Sequence, residues 1–564
     1  MGFVLDSLLL ELFLILASLL ALLYYYLSRN EDYWKSRGVP FIQPTTFFGN
    51  LKDVVLMHTS EPEQLARLYF QLEGHSFGGI FQSVTPILLL RDPELIKTVL
   101  VKDFDHFHDR GIPLNEKKNP LGAHLITLEG SRWKTLRSKL TPAFTSGKLK
   151  NMFQFVVECA QDMTVHLEEK VPDDGGRLEI KEIFAKYTTN VIGSCGFGLR
   201  LNTFEDPHSK FRRMGRQFFE PTYWKFLRRW IIINVPVMQK LKISAFSHEM
   251  TSFFMGIVKE TIGYRESNGV MRSDFLQLLI ELKNRGRVDL PSSNESVTTT
   301  DGTIQDANKG DLGLTVSYHR SYSRLTINTI DYLSINILHL SELTDSLLTA
   351  QCFMFFMAGF ETSSTTMSFC VYELAINPEV QDRLLREVDE TLLKTRGEPT
   401  YQDISTMDYL DSVIKETLRK YPVVHTLMRV CTRPYTLPGT NLRLEAGTKL
   451  VVPLFGLHYD PRYHPDPYRF DPERFSGEGS RPVIPAYTYL PFGEGPRNCI
   501  GLRFGLMQVK AGLVYLLSKY KLSSCDKTTV PPRFDPRTIV ASPLGGVWLK
   551  VTPRRSPGTP PYAE

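Results

Sequence analysis

The sequence predicts a mainly α-helical protein with small β-sheets, preceded by a single N-terminal transmembrane helix. Three observations carry that expectation. The run SLLLELFLILASLLALLYYYL (Ser7 to Leu27) opens the chain with one charge, Glu11. From about Gly130 to Arg285, apolar residues recur at three- and four-residue intervals, the period of a helix face. From Arg429 to Val452, short β-like runs are broken by Pro434, Pro438-Gly439 and Gly447.

The first run, at 1.5 Å per residue, spans the roughly 30 Å hydrocarbon core of a bilayer. Asp6 and Glu11 stand before or at its start, and Arg29, Lys35 and Arg37 follow it. The basic side stays in the cytosol, which places the bulk of the chain there. Tyr24, Tyr25, Tyr26 and Trp34 suit an interfacial aromatic belt. A cleaved signal peptide and a buried core helix are the alternatives. The run is long for a signal sequence and lacks a clear A-x-A site. Residues 1–29 are therefore read as an anchor.

Past the anchor, GVPFIQPTTFFGN (Gly38 to Asn50) is an extended connector punctuated by proline and glycine. TPILLLRDPELIKTVL reads as a strand and then a helix opening at Asp92-Pro93, with proline in its first turn. Residues 30–555 form the main domain, and 556–564 a flexible tail. Within the domain, 286–341 is an atypical insertion. Its first part is polar and predicts disorder, and a structureless stretch of that length is unusual inside a compact domain. Non-native sequence over part of it, such as a retained intron, is one explanation.

The 564 residues are 42% hydrophobic and 23% charged, with a formal net charge of +5. That balance suits a globular enzyme and argues against a dedicated nucleic-acid binder. Seven scattered cysteines form no C-x-x-C pair, so neither a disulfide framework nor a zinc ribbon is indicated, and a reducing compartment is expected.

Chemistry concentrates in PFGEGPRNCIG (Pro491 to Gly501). A thiolate is a soft, electron-rich ligand, and Cys499 stands just ahead of an apparent helix N-terminus. Gly493, Gly495 and Gly501 permit a tight backbone course and close approach of a flat ligand. Arg497 adds a charge suited to a carboxylate. The arrangement suits a metal centre with one axial protein ligand, the way a cysteine thiolate holds haem. A dinucleotide fingerprint would need a glycine where Asn498 stands. A nucleophilic cysteine and a purely structural one both stay open at this point.

A second candidate is MAGFETSSTT (Met357 to Thr366), where Gly359, Glu361 and Thr362 interrupt an apolar helix. Buried polar groups there need partners or a function. A small-residue helix contact is the plainer reading. In KETLRKYP, Glu416 and Arg419 share a helix face; FDPERF carries Arg474; in WKTLR, Trp133 and Arg137 present two donors on one face.

In their order and joint presence, these segments resemble the motif set of the cytochrome P450 superfamily across essentially the whole chain except the insertion. The cysteine loop matches F-x-x-G-x-R-x-C-x-G at every fixed position. HFHDRG, LTPAFTSGKLKNMF, SDFLQLLIELKNRG and FMAGFETSSTT are similar to insect microsomal family-6-type enzymes, which are related to vertebrate family 3.

The resemblance implies a cytochrome P450 fold holding b-type haem, with Cys499 as the metal ligand and Phe492 packed beside it. Trp133, Arg137, Arg429 and Arg497 would bind the haem carboxylates. Thr362 and Glu361 would sit over the opposite face and supply protons for oxygen activation. Glu416, Arg419 and Arg474 would form a buried structural network.

The implied activity is insertion of one oxygen atom of O2 into lipophilic small molecules, xenobiotic or endogenous, at the endoplasmic reticulum membrane. No sound nucleotide motif is present, so NADPH would act indirectly, through a membrane-bound NADPH–cytochrome P450 reductase with cytochrome b5 as an accessory donor. Arg132, Lys134 and Lys139 lie on the side that the family presents to its reductase. The loop from about Asp109 to Ile126, Phe218 to Val237, Val423 to Met428 and Pro543 to Val547 would surround the pocket. A haem isomerase or dehydratase and a haem sensor without turnover are the competing readings.

Overall fold

A 32-residue helix through the centre of the protein organises everything around it. The computed structural model describes residues 2–112, 116–220, 222–234, 246–285, 343–476 and 483–554. The insertion 286–341 and the tail 556–564 lie outside the described residues, as does part of the 218–237 segment. Helices of eight residues or more are numbered α1 to α13. They are α1 Gly2–Ser28, α2 Glu61–Gln71, α3 Gly130–Leu140, α4 Ser146–Lys170, α5 Ile180–Ile192, α6 Lys210–Phe219, α7 Tyr223–Asn234, α8 His248–Asn268, α9 Phe275–Arg285, α10 Asp345–Ile376, α11 Pro378–Lys394, α12 Asp408–Lys420 and α13 Leu502–Lys519.

Three sheets lie beside the helices. The largest runs in the order β1 (Phe77–Gln82), β2 (Thr85–Leu90), β7 (Lys449–Pro453), β4 (Thr426–Val430), parallel only between β2 and β7. The second is β3 (Gly176–Glu179), β9 (Trp548–Pro553), β8 (Tyr520–Ser523), and the third is the two-residue pair β5 (Tyr435–Thr436) and β6 (Arg443–Leu444). The mainly α fold with small sheets matches the expectation. The turn at Asp92 behaves as its sequence predicts, its side chain accepting from Leu95 N at 3.0 Å.

α1 contains a 21-residue stretch, Leu8–Ser28, of mean hydropathy 2.3, none of it buried. It is long enough to cross a bilayer. Tyr24 and Tyr25 are exposed on it. Trp34 departs from the aromatic-belt expectation: it is fully buried, and its Nε1 donates to Ile80 O at 3.2 Å. Gly79 makes room for it, since a Cβ there would fall 2.3 Å from the indole. The indole thus closes the apolar sheet core.

The interior has two hydrophobic clusters. One surrounds α10 with α4, α5, α9, α12 and α13; the other packs α2 and the four-stranded sheet. Phe492 and Ile500 pack on the first, while Leu490 and Leu427 belong to the second. The cysteine loop therefore sits at the seam between the two cores.

Candidate functional site: a thiol, an arginine cluster and a broken helix face

The loop before α13 is shaped by backbone that side chains would obstruct. Gly493 (φ +70°) and Gly495 (φ +72°) are left-handed, and a Cβ on Gly495 would lie 2.1 Å from Leu100 O. Cys499 N donates to Phe492 O at 2.9 Å and Asn498 N to Gly495 O at 3.0 Å. This folds the loop back on itself and presents the thiol. Among the seven cysteines, Cys499 alone is exposed; five are buried. The accessible thiol is nonetheless hemmed in by protein. Burial pushes its pKa up, opposed by the Gly501 N–H and by the Arg137 and Arg110 guanidiniums.

Arginines from four separate segments converge around this thiol. Arg137, on α3, donates to Asn498 O at 2.9 Å and Asn498 Oδ1 at 2.7 Å, gripping the residue before the cysteine. Arg497 lies 4.0 Å over the ring of buried Trp133. It donates to His108 O (2.7 Å), Leu125 O (3.2 Å) and Leu128 O (2.8 Å), and Asp109 Oδ1 lies 3.5 Å away. Arg429, on β4, is buried, donates to Met428 O at 2.8 Å, and leaves its Nε without a partner among the described residues.

The fourth, Arg110, was not singled out from sequence. It donates to Arg497 O at 3.0 Å. Burial, and then repulsion among these cations, lowers Arg110 to about 10 and Arg429 and Arg497 to about 9. His124 is also buried beside Arg110, and burial lowers it to about 4, so it is neutral at ordinary pH.

α10 supplies another wall. Most of its middle is buried, but Met357, Ala358, Gly359 and Thr362 are not, and Ala358 is exposed. The helix is modified there through three successive carbonyls. Thr362 Oγ1 donates to Ala358 O (2.5 Å), Gln508 Nε2 to Gly359 O (3.1 Å), and Thr188 Oγ1 to Phe360 O (3.0 Å). Side-chain donors of this kind compete with the helix ladder. Gly359 has a packing reason too: a Cβ would fall 2.4 Å from Ile192 of α5. Glu361 turns instead to Lys181, 2.8 Å away. Of the expected Glu361-Thr362 pair, only Thr362 is left partly accessible. Gln508 lies on α13, the helix that Cys499 leads into, so one helix connects the thiol loop to this face.

The remaining expected residues stand apart as a closed network. Arg419 Nε and Nη2 pair with Glu416 Oε2 (2.7 Å) and Oε1 (2.9 Å), all fully buried. Arg419 also donates to His458 O (3.0 Å) and Pro467 O (2.8 Å). Arg474 Nε reaches Glu416 Oε1 at 3.4 Å and its Nη2 meets Asp466 O at 2.7 Å.

The donor set around Cys499 fits a flat, anionic, metal-bearing group. A soft sulfur is presented by a loop whose tight turn at Gly495 leaves no room for a Cβ, and buried guanidiniums crowd together with Asp109 beside Arg497 and Arg429 Nε unpartnered among the described residues. Haem has these properties.

Comparisons with known proteins agree. The family model described as Cytochrome P450 matches residues 39–305 and 315–549, and so passes over 306–314 within the insertion. Cytochrome P450 6k1 of Blattella germanica is 40% identical over 536 residues, covering 95% of each chain. Cytochrome P450 6a2 of Drosophila melanogaster is 38% identical, covering 96% of this chain and 99% of its own. Cytochrome P450 9e2 of Blattella germanica is 35% identical, covering 93% and 94%. A match over nearly the whole length shows that this chain belongs to the cytochrome P450 family and is a monooxygenase of that kind.

Proposed function

We propose that the protein is a membrane-anchored monooxygenase for neutral, lipophilic small molecules, xenobiotic or endogenous, working on the cytosolic face of the endoplasmic reticulum. Its electrons come from NADPH through a separate reductase, with cytochrome b5 as an accessory donor. The observation that carries the substrate class is the bare strip on α10, where Thr362 is the one hydroxyl among Met357, Ala358 and Gly359. Around it, the expected lining is apolar. Leu427 and Met428 are half-buried and Val424 and Leu544 exposed, and Phe219 stands 5.8 Å from Phe360. Such a lining admits molecules that carry no charge into the site.

Bound haem supplies dioxygen activation and transfer of one oxygen atom. This chain's residues do the rest. Cys499 would hold the iron. Arg110, Arg137, Arg429 and Arg497, with the Trp133 indole, would orient the carboxylate edge. Arg497 does so largely through the loop, because most of its recorded bonds go to backbone carbonyls. Phe492 packs on the core beside the loop and accepts from Cys499 N through its carbonyl. Thr362 holds its hydroxyl at the accessible face, where it can order a water and pass a proton, and Glu361 is the nearest acid along the helix. Arg132 pairs with Glu116 at 3.1 Å, leaving Lys134 and Lys139 as the α3 cations offered to a reductase.

The test is reconstitution of the full chain in phospholipid with an NADPH–cytochrome P450 reductase. A lipophilic substrate should raise NADPH consumption and yield a product heavier by one oxygen atom. Haem-loaded protein that consumes no NADPH would overturn the reading. Thr362→Ala should retain NADPH consumption while losing roughly tenfold or more in product, as expected for a lost proton relay.

A further inference from the structure

The Glu361 carboxylate is committed to an ion pair, and the cation that holds it has a second partner. Lys181 Nζ lies 2.8 Å from Glu361 Oε1 and 2.5 Å from Ser542 Oγ, and Thr365 Oγ1 stands 3.4 Å from the same carboxylate oxygen. Glu361 and Ser542 are both buried. Lys181 belongs to the first turn of α5, where the chain leaves β3, and that junction is bound to the C-terminal segment. Val547 N donates to Glu179 Oε1 at 2.8 Å, and Ile180 N to Val547 O at 2.8 Å. Glu179 also caps α5 through Glu182 N (2.7 Å) and Lys181 N (3.2 Å). Gly546, at φ +80°, permits this approach, since a Cβ there would lie 2.6 Å from Glu179 Oε1. Between the two pinned ends, Leu544 is left 42% exposed.

One ammonium therefore joins the acid of the interrupted helix to the segment expected to cover the pocket. We propose that Lys181 is a positioning residue for proton supply: it holds the Glu361 carboxylate in place and transmits contact at the 542–547 segment to it. A buried carboxylate is held in one geometry by the cation paired with it. Nζ donates to Glu361 and Ser542 at once, so a molecule that presses on Leu544 and moves Ser542 draws the ammonium, and with it the Glu361 carboxylate, out of place. The inference rests on the reading above, in which Glu361 carries protons and the 542–547 segment lines the pocket.

The experiment uses the full chain carrying Lys181→Met, Lys181→Arg, Glu361→Gln or both Lys181→Met and Glu361→Gln. Infrared spectroscopy of the resting protein gives a readout independent of turnover. Lys181→Met should move the Glu361 carboxylate band, identified as the one missing from Glu361→Gln, and Lys181→Arg should leave it near the parental position. In the reconstituted system, Lys181→Met should keep parental haem content and carbon-monoxide spectrum, yet convert about threefold less of its NADPH into product, as misplacing a proton-transfer group does. Lys181→Arg should restore the yield, and the double variant should be no worse than Glu361→Gln.

A carboxylate band left unmoved in Lys181→Met, or a double variant whose losses multiply, overturns the inference. Parental yield in Lys181→Met together with a loss in Glu361→Gln overturns the inference alone. Parental yield in Glu361→Gln overturns the proton role of Glu361, and the inference with it.

Discussion

Two buried groups of arginines in this protein differ in how fully their charge is met. Around Glu416, the Arg419 guanidinium has carboxylate oxygens at 2.7 and 2.9 Å and carbonyls at 3.0 and 2.8 Å. Its pKa is raised, the carboxylate outweighing the opposing effect of burial. Around Cys499, burial and mutual repulsion lower Arg110, Arg429 and Arg497, and Arg429 Nε has no partner among the described residues. The first group is finished within the chain and serves the fold. The second needs an anion from outside, which is how a binding site differs from a structural network of the same composition.

Substitution should separate the two sharply. Arg419→Leu leaves Glu416 buried without its main cation and should destabilise the protein by about 3–5 kcal/mol, whether or not haem is bound. Thermal unfolding of the loaded and haem-free forms checks this, and an effect confined to the loaded form would break the comparison. Arg429→Leu should act the other way. Haem-free protein keeps its stability or gains some, because a repelling cation is gone, while haem is lost faster on transfer to an acceptor protein.

Gly495→Ala tests the loop itself. A Cβ 2.1 Å from Leu100 O at positive φ should cost about 1–3 kcal/mol and lower haem content in proportion. Gly439→Ala is the control, having positive φ and no atom within 4 Å; its cost should come from conformation alone.

A further effect is expected from pH. Burial lowers His124 and His464 to about 4, from an ordinary 6.5. A depressed folded-state value means that the unfolded chain takes up protons first. Each histidine's contribution is therefore present above pH 6.5 and is lost as pH falls toward 4. The loss is about 3 kcal/mol per group at most. His124→Gln should flatten the acid limb of the stability profile in the haem-free protein; an unchanged slope would contradict the assignment.

The same contrast explains what could be read from the sequence. The helix-dominated fold, the anchor helix and the cysteine loop are local patterns: an apolar period, a long apolar run, glycines at fixed spacing. Glu416 and Arg419 were legible because three residues along a helix make neighbours. Arg110, His124 and Lys181 were not. Each acts through partners brought together only by folding, such as Lys181 with Glu361 and Ser542, and each looks in sequence like an ordinary polar residue. Trp34 shows the converse. Its place just after an apolar run suggests an interface, whereas the space left by Gly79 draws it into the core.

The account turns on Cys499 as the iron ligand within the arginine-lined seam. The most direct measurement is the reduced, carbon-monoxide-bound difference spectrum of the full chain beside that of Cys499→Ser. The account predicts the strongly red-shifted Soret band of a thiolate-ligated haem in the parent and its complete loss in the variant. A red-shifted band that survives in Cys499→Ser would contradict it.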